Sequence, residues 1–254
     1  MAELKSFYRD LNLGGKNVEE ATKKVLNDLY LPDGTGGRLN TLLWGQAGSG
    51  KTTYLETTLY HFLKTNKDPE FRLVYISPKH ETLLGQEPLY NIEKLEKYLM
   101  KNRFAVVFPS MESLDADVDY IIDTLFDLRQ ANPPHKKSKG FTATVIMDDA
   151  QIFLSSRKAA SPSQKRLALT GRSKMIRGIY VSHNIVFAKE LEGQVSTLIG
   201  FTTPVPSYWK ASIERYGYNP EDFADDLASK PFSFVWFDTK TRNGVLNEPI
   251  EPIV

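Results

Sequence analysis

The chain has 254 residues, 32 Lys and Arg against 31 Asp and Glu, a formal net charge of +1 and no cysteine. The missing cysteines exclude disulfides, thiolate catalysis and Cys-containing zinc sites. Histidines at 61, 80, 135 and 183, without HxxxH spacing, argue against a histidine metal centre. Hydrophobic residues at 41% supply a sizeable core, and charged residues at 25% are ordinary for a globular chain of this length. No run approaches about 18 apolar residues, and the opening MAELKSFYRD has acidic residues where a signal peptide needs an apolar stretch. The expectation is a soluble, unsecreted protein without an integral membrane segment.

In chain order, residues 1–38 read as a polar leader. Asn17-Val18-Glu19-Glu20 has the form of a capping box, and Val18, Ala21, Val25 and Leu29 recur at helical spacing. Pro32 to Gly37 is a loop. Leu39–Trp44 is a short apolar run ending at a glycine, and Lys51–Leu63 places Leu55, Leu59, Phe62 and Leu63 on one helical face. Leu73–Ile76 and Ala105–Phe108 read as strands, and Leu114, Val118, Ile121, Ile122 and Leu125 mark an amphipathic helix. Ala143–Met147, Ile179–Val181 and Val195–Phe201 complete the core strands. Tyr208–Tyr216 and Glu221–Leu227 read as helices, Phe232–Phe237 as one more strand, and the end, with Pro249 and Pro252, as an extended tail. Short apolar strands alternating with helices predict an α/β fold with a mostly parallel sheet covered on both faces. The predicted divisions are a leader (1–38), a core (39–206) and an appendage (207–254), together one compact domain.

Gly45-Gln46-Ala47-Gly48-Ser49-Gly50-Lys51-Thr52 fits GxxxxGK[ST] in full. Glycines let backbone N–H groups turn inward around phosphate oxygens. Lys51 is then the β/γ-phosphate ligand, the Thr52 hydroxyl a Mg²⁺ ligand, and the helix N-terminus adds its positive dipole. Gly45 to Lys51, with Thr52 and Thr53, is therefore assigned to a nucleotide, ATP, with Mg²⁺. Thr144-Val145-Ile146-Met147-Asp148-Asp149 supplies the acidic element that such a loop needs. Asp148 is assigned to the Mg²⁺ shell and Asp149 to the attacking water.

From 155 to 178 the chain carries Arg157, Lys158, Lys165, Arg166, Arg172, Lys174 and Arg177 and no acid, and His135-Lys136-Lys137-Ser138-Lys139 forms a second basic cluster. Three readings stand: contacts to nucleic-acid phosphates, an arginine acting in trans on a neighbour's γ-phosphate, or a solvated face. The strand in Gly178-Ile179-Tyr180-Val181-Ser182-His183-Asn184 ends beside Asp148. Ser182 or His183 there either senses the γ-phosphate and lytic water or is a satisfied structural residue.

GQAGSGKTT, VIMDDAQIF, the basic stretch and GIYVSHN together resemble the FtsK/HerA superfamily of DNA-pumping ATPases over about residues 38–240. Within it, they look like the genome-packaging ATPases of internal-membrane, double-jelly-roll viruses, including poxvirus-type enzymes and those of archaeal turreted viruses. Two positions depart from the pattern: Asp149 stands where motor ATPases usually have Glu, and His183 where many relatives have Gln. The resemblance implies a RecA-like P-loop NTPase sheet and an ATPase that translocates double-stranded DNA into a preformed capsid. It also implies a homo-oligomeric ring, pentamer or hexamer, hydrolysing ATP at its subunit interfaces, docked on capsid or membrane vertex proteins in the host cytoplasm or virion. Arg172 and Arg177 match the family's arginine finger, and His183 its sensor. A Zot-like phage assembly or secretion ATPase, a small-molecule P-loop kinase and a nucleotide-switched adaptor are the alternatives.

Overall fold

The computed structural model describes residues 18–32, 40–79, 82–154, 159–183, 193–201 and 221–250. The elements are α1 (Val18–Tyr30), β1 (Asn40–Trp44), α2 (Lys51–Thr65), β2 (Phe71–Ile76), and α3 (Leu95–Leu99), the last entered through a 3₁₀ turn at Ile92–Lys94. Then come β3 (Phe104–Val107), α4 (Leu114–Ala131), β4 (Thr142–Met147), α5 (Pro162–Thr170), a 3₁₀ turn at Arg172–Lys174 and β5 (Ile176–Ser182). β6 (Val195–Phe201), α6 (Glu221–Ser229), β7 (Phe234–Asp238) and β8 (Asn243–Asn247) follow.

All eight strands form one sheet in the order β3-β2-β4-β5-β1-β6-β7-β8. The six strands from β3 to β6 are parallel, while β7 and β8 add antiparallel. β1, β4, β5 and β6 are buried at every residue, as a parallel sheet covered on both faces requires. Side-chain alternation divides the core in two. Leu43, Ile146, Ile179 and Ile199 meet α1 and α2 on one face, whereas Leu42, Val145, Tyr180 and Leu198 share the other with α3, α4 and α5. The α/β, mostly parallel, helix-flanked sheet read from the sequence is therefore present.

Three elements were not expected, the first being the short helix α3 between β2 and β3. α5 lies inside the basic segment, begun by a full capping box in which Ser161 Oγ accepts from the Gln164 N–H while Gln164 Oε1 accepts from the Ser161 N–H, with Pro162 in the first turn. β8 is a strand because it pairs with β7 from Phe234↔Asn247 to Asp238↔Asn243. The predicted strand at 232–237 begins two residues later, and Phe232 stays in the preceding turn. The capping residue Asn17, the helix at 208–216 and Pro252 lie outside the described residues.

Strand order decides what reaches the nucleotide edge. β5 lies between β1, which leads into the P-loop, and β4, which ends at the acidic pair. The C-terminal ends of three adjacent parallel strands thus deliver Gly45, Ser182-His183 and Asp148-Asp149 to one rim.

Candidate active site

Backbone geometry forms the loop first. Gly50 has φ +100°, a left-handed conformation that L side chains rarely adopt, and it leads directly into α2. At Gly45 an added Cβ would lie 2.7 Å from both Phe201 Cβ and Ser49 Oγ, so only glycine lets the loop pass under β6. The result is a helix N-terminus opening on a cavity of about 280 Å³ walled by Ser49, Lys51, Thr52, Asp148, Asp149 and His183.

Lys51 is buried and folded back over its own loop, its Nζ donating to Gly45 O and Gln46 O at 2.7 Å each. Burial lowers its pKa to about 8, against the opposing pull of the Asp148 and Asp149 carboxylates. The sign is clear: the ammonium that attracts phosphate is present below about pH 8 and lost above it. Inorganic tripolyphosphate binding to the protein is therefore expected to hold steady from pH 6 to 7.5 and to weaken above 8, approaching tenfold per pH unit. A titration of affinity against pH checks this, and Lys51→Arg removes the inflection.

The acidic pair has unequal surroundings. Asp148 Oδ2 accepts from the Tyr75 hydroxyl at 2.9 Å, and Oδ1 from the Asp149 N–H at 3.0 Å. Burial, and then the neighbouring Asp149 charge, push the Asp148 pKa up. Asp149 sits at φ 48°, a left-handed conformation that aspartate tolerates better than most residues. Its Oδ1 accepts from Gln151 Nε2 at 3.2 Å and lies 3.1 Å from His183 Nε2, while its Oδ2 lies 3.1 Å from Lys79 Nζ. Burial raises the Asp149 pKa, but the bonds from Lys79 and Gln151 outweigh it and hold the carboxylate below the usual range.

His183 closes the circuit. Its Nδ1 lies 3.3 Å from Lys51 Nζ and 3.3 Å from Gly45 O. A neutral ring protonated on Nε2 accepts from Lys51 and donates to Asp149, joining the phosphate lysine to the acid. Ser182 Oγ donates to Gln151 Oε1 at 2.7 Å, and the His183 N–H donates to the same oxygen at 3.3 Å. The rim thus gathers Lys51, Thr52, Asp148, Asp149 and His183, all named from the sequence. Tyr75, Lys79 and Gln151 were not assigned there. Gln151 lay within the quoted DDAQIF, but Tyr75 and Lys79 arrive only through β2 lying beside β4.

The donor set suits Mg²⁺. The Thr52 hydroxyl and Asp148 carboxylate are hard oxygen ligands facing the same cavity. Among the described residues no group of three His, Cys, Asp or Glu could hold a metal without other ligands.

The two arginines part company. Arg172 is exposed in the 3₁₀ turn before β5. Arg177 is 2% exposed, and its guanidinium donates to Asp28 O and Leu31 O at the end of α1 and to Thr41 Oγ1. This corrects the reading of Arg177 as a trans finger, because it is committed to seating α1 on the sheet. Arg157 and Lys158 lie outside the described residues. The remaining basic residues do converge: Lys136, Lys137 and Lys139 precede β4, and Arg172 and Lys174 precede β5, so both clusters sit at the rim opposite the P-loop. There Arg129, Arg166 and Lys174 line a cavity of about 350 Å³, with the Arg166 guanidinium 4.1 Å from the Phe126 ring centre.

No protein-family profile matches the chain, and no curated protein sequence does. Solved structures do. The DNA-packaging ATPase B204 from Sulfolobus turreted icosahedral virus superposes with a TM-score of 0.64 at 19% identity, over 85% of this chain and 100% of its own. The genome-packaging NTPase B204 from Sulfolobus turreted icosahedral virus 2, in complex with AMPPCP, gives 0.62 at 18% identity, over 86% and 99%. EssC ATPases 2 and 3 from Geobacillus thermodenitrificans give 0.57 at 15% identity, over 85% of this chain and 40% of theirs. At these identities the likeness establishes the fold: this chain has the P-loop NTPase architecture of the viral B204 proteins and of the EssC ATPase domains.

Proposed function

We propose that the chain is an ATP-hydrolysing motor subunit that drives double-stranded DNA into a preformed viral capsid. The carrying observation is the correspondence with the DNA-packaging ATPase B204 over 85% of this chain and the whole of B204, in a chain whose own rim presents a P-loop beside an acidic pair. Lys51 exchanges its loop carbonyls for β- and γ-phosphate oxygens, and Thr52 and Asp148 hold Mg²⁺, which neutralises phosphate charge when bound. Asp149, aligned by Lys79, Gln151 and His183, takes a proton from the water that attacks the γ-phosphorus, and ADP leaves. The opposite basic rim, through Lys136, Lys137, Lys139 and Lys174, meets DNA phosphates without reading sequence. Subunits assemble as a homo-oligomeric ring, with Arg172 of one completing the site of the next.

Among the described residues no helix is long and apolar enough to cross a membrane. The likeness to the cytoplasmic domain of the Type VII secretion ATPase EccC from Thermomonospora curvata, with a TM-score of 0.53 at 15% identity, supports a second reading, a secretion ATPase. One experiment separates the two: ATP hydrolysis by the purified chain with and without double-stranded DNA, at several salt concentrations. Packaging predicts stimulation of at least about fivefold that fades as salt rises. Hydrolysis indifferent to DNA favours secretion, and no hydrolysis in either arm removes the motor.

A further inference from the structure

We propose that the cavity at the basic rim, opposite the nucleotide edge, binds a phosphomonoester, the dianionic phosphate of a free mononucleotide or of a DNA strand end. This goes beyond the motor reading and does not depend on it. A rim that meets DNA needs only exposed charge, whereas this site is concave and takes a group that enters it. It measures about 350 Å³, within the range that holds a small molecule. Arg129, Arg166 and Lys174 supply three cations, and no carboxylate is among the lining residues.

The wall is set by the chain itself. α4 ends at Ala131, and Pro133 and Pro134 follow, each with its φ fixed by the ring. The Asn132 N–H donates to Leu128 O and the Phe141 N–H to Asn132 O, at 3.0 Å each. Between them His135 and Ser138 exchange backbone bonds at 2.9 and 3.0 Å. Gly140 closes this loop at φ +68°, where an added Cβ would lie 2.5 Å from Asn132 O.

Arg129 is the deepest of the three cations. It is 8% exposed, and one terminal nitrogen donates to Lys139 O at 2.6 Å and to Phe141 O at 2.7 Å. A guanidinium carries five N–H donors, and the other nitrogens of Arg129 meet no acceptor among the described residues. Burial lowers its pKa against the pull of the Glu70 carboxylate, the mark of a cation whose charge is only partly answered. Arg166 stands over the Phe126 ring, its guanidinium 4.1 Å from the centre, which pins a second fork against the wall. Its pairing with Asp123 is long, 3.4 Å, and that carboxylate also accepts from Ser163 Oγ at 2.8 Å. Lys174 is exposed and completes the rim.

Depth decides which phosphate fits. A phosphodiester inside a duplex is flanked by sugars on both sides and carries a single charge, so it meets exposed lysines and stops short of a buried arginine. A phosphomonoester protrudes on one bond, with three terminal oxygens and a second charge gained at about pH 6. That shape and charge match two guanidinium forks and an ammonium.

Calorimetry on the full chain tests this, in a Lys51→Ala background that removes the P-loop lysine. The probes are deoxyadenosine monophosphate, inorganic phosphate and dimethyl phosphate. The first two are expected to bind, and the diester to bind at least about tenfold more weakly. Arg166→Gln and Lys174→Ala, both at exposed positions, should each weaken the monophosphate at least about fivefold with thermal unfolding unchanged. Arg129 is left intact because it also ties down the loop. A duplex with 5′-phosphate ends against the same duplex with 5′-hydroxyl ends separates the two sources. Tighter binding of the phosphorylated duplex, lost in Arg166→Gln, assigns the site to strand ends, and equal binding of the two assigns it to free phosphate. A diester that binds as tightly as the monophosphate overturns the proposal. So does monophosphate affinity that neither variant changes, or a chain that binds neither the monophosphate nor inorganic phosphate.

Discussion

Asp149→Asn is expected to lower ATP turnover by roughly 10²–10⁴-fold, the range general-base removal gives, while ATP affinity stays within about threefold. The asymmetry of the acidic pair carries this expectation. Asp148 is occupied by the Tyr75 hydroxyl and the Asp149 N–H, whereas Asp149 is kept ionised and aimed by Lys79, Gln151 and His183. The amide is isosteric but cannot accept the proton. Lys79→Ala tests the alignment separately. It should reduce kcat by roughly ten- to hundredfold through misplacement of the carboxylate, with KM unchanged and recovery in Lys79→Arg. Equal losses in kcat and ATP affinity for Asp149→Asn would instead make it a binding residue.

The second large effect separates the two arginines. Arg172→Ala is expected to cut kcat by at least about 10³-fold, as loss of a trans arginine does, with thermal stability unchanged because the side chain is exposed. Mixing that variant with Lys51→Ala subunits should restore activity, since one supplies the nucleotide site and the other the arginine. Arg177→Ala should behave in the opposite way. It strips buried partners from Asp28 O, Leu31 O and Thr41 Oγ1, a loss of about 3 kcal/mol in unfolding free energy, and no mixture should rescue it. Denaturant unfolding beside the mixing assay gives both readouts. Activity restored by mixing in Arg177→Ala and not in Arg172→Ala would reverse the assignment.

The P-loop and acidic pair were legible because each is a local device. Glycine spacing, a lysine and a hydroxyl form a phosphate cradle within eight residues, and an apolar strand ending in two aspartates needs no distant partner to be recognised. Lys79 was not legible. It acts on Asp149 only because β2 is the neighbour of β4, and strand order is not written in either segment. Arg177 misled for the complementary reason: in a run of one-signed charge nothing local reveals that it alternates inward with Ile179 and Val181. β8, with Val245 and Leu246 between polar ends, becomes a strand through its ladder with β7 and not by its own pattern. α5 carried a readable signal, Ser-Pro-Ser-Gln ahead of Leu167 and Ala168, which the surrounding charge obscured.

β5 has seven residues, buried throughout, and joins Arg172 and Lys174 at one end to His183 at the other. At about 3.3 Å per residue it spans some 20 Å, bonded to a parallel neighbour on each side. Such a rod neither stretches nor buckles, because the close-packed layers on both faces resist compression. The separation between the nucleotide edge and the basic rim is therefore fixed by β5, and the two ends can shift only together with the strands bonded beside it. On the proposed function, nucleotide and DNA would then engage opposite ends of one stiff strand, a layout in which force need not pass through any loop.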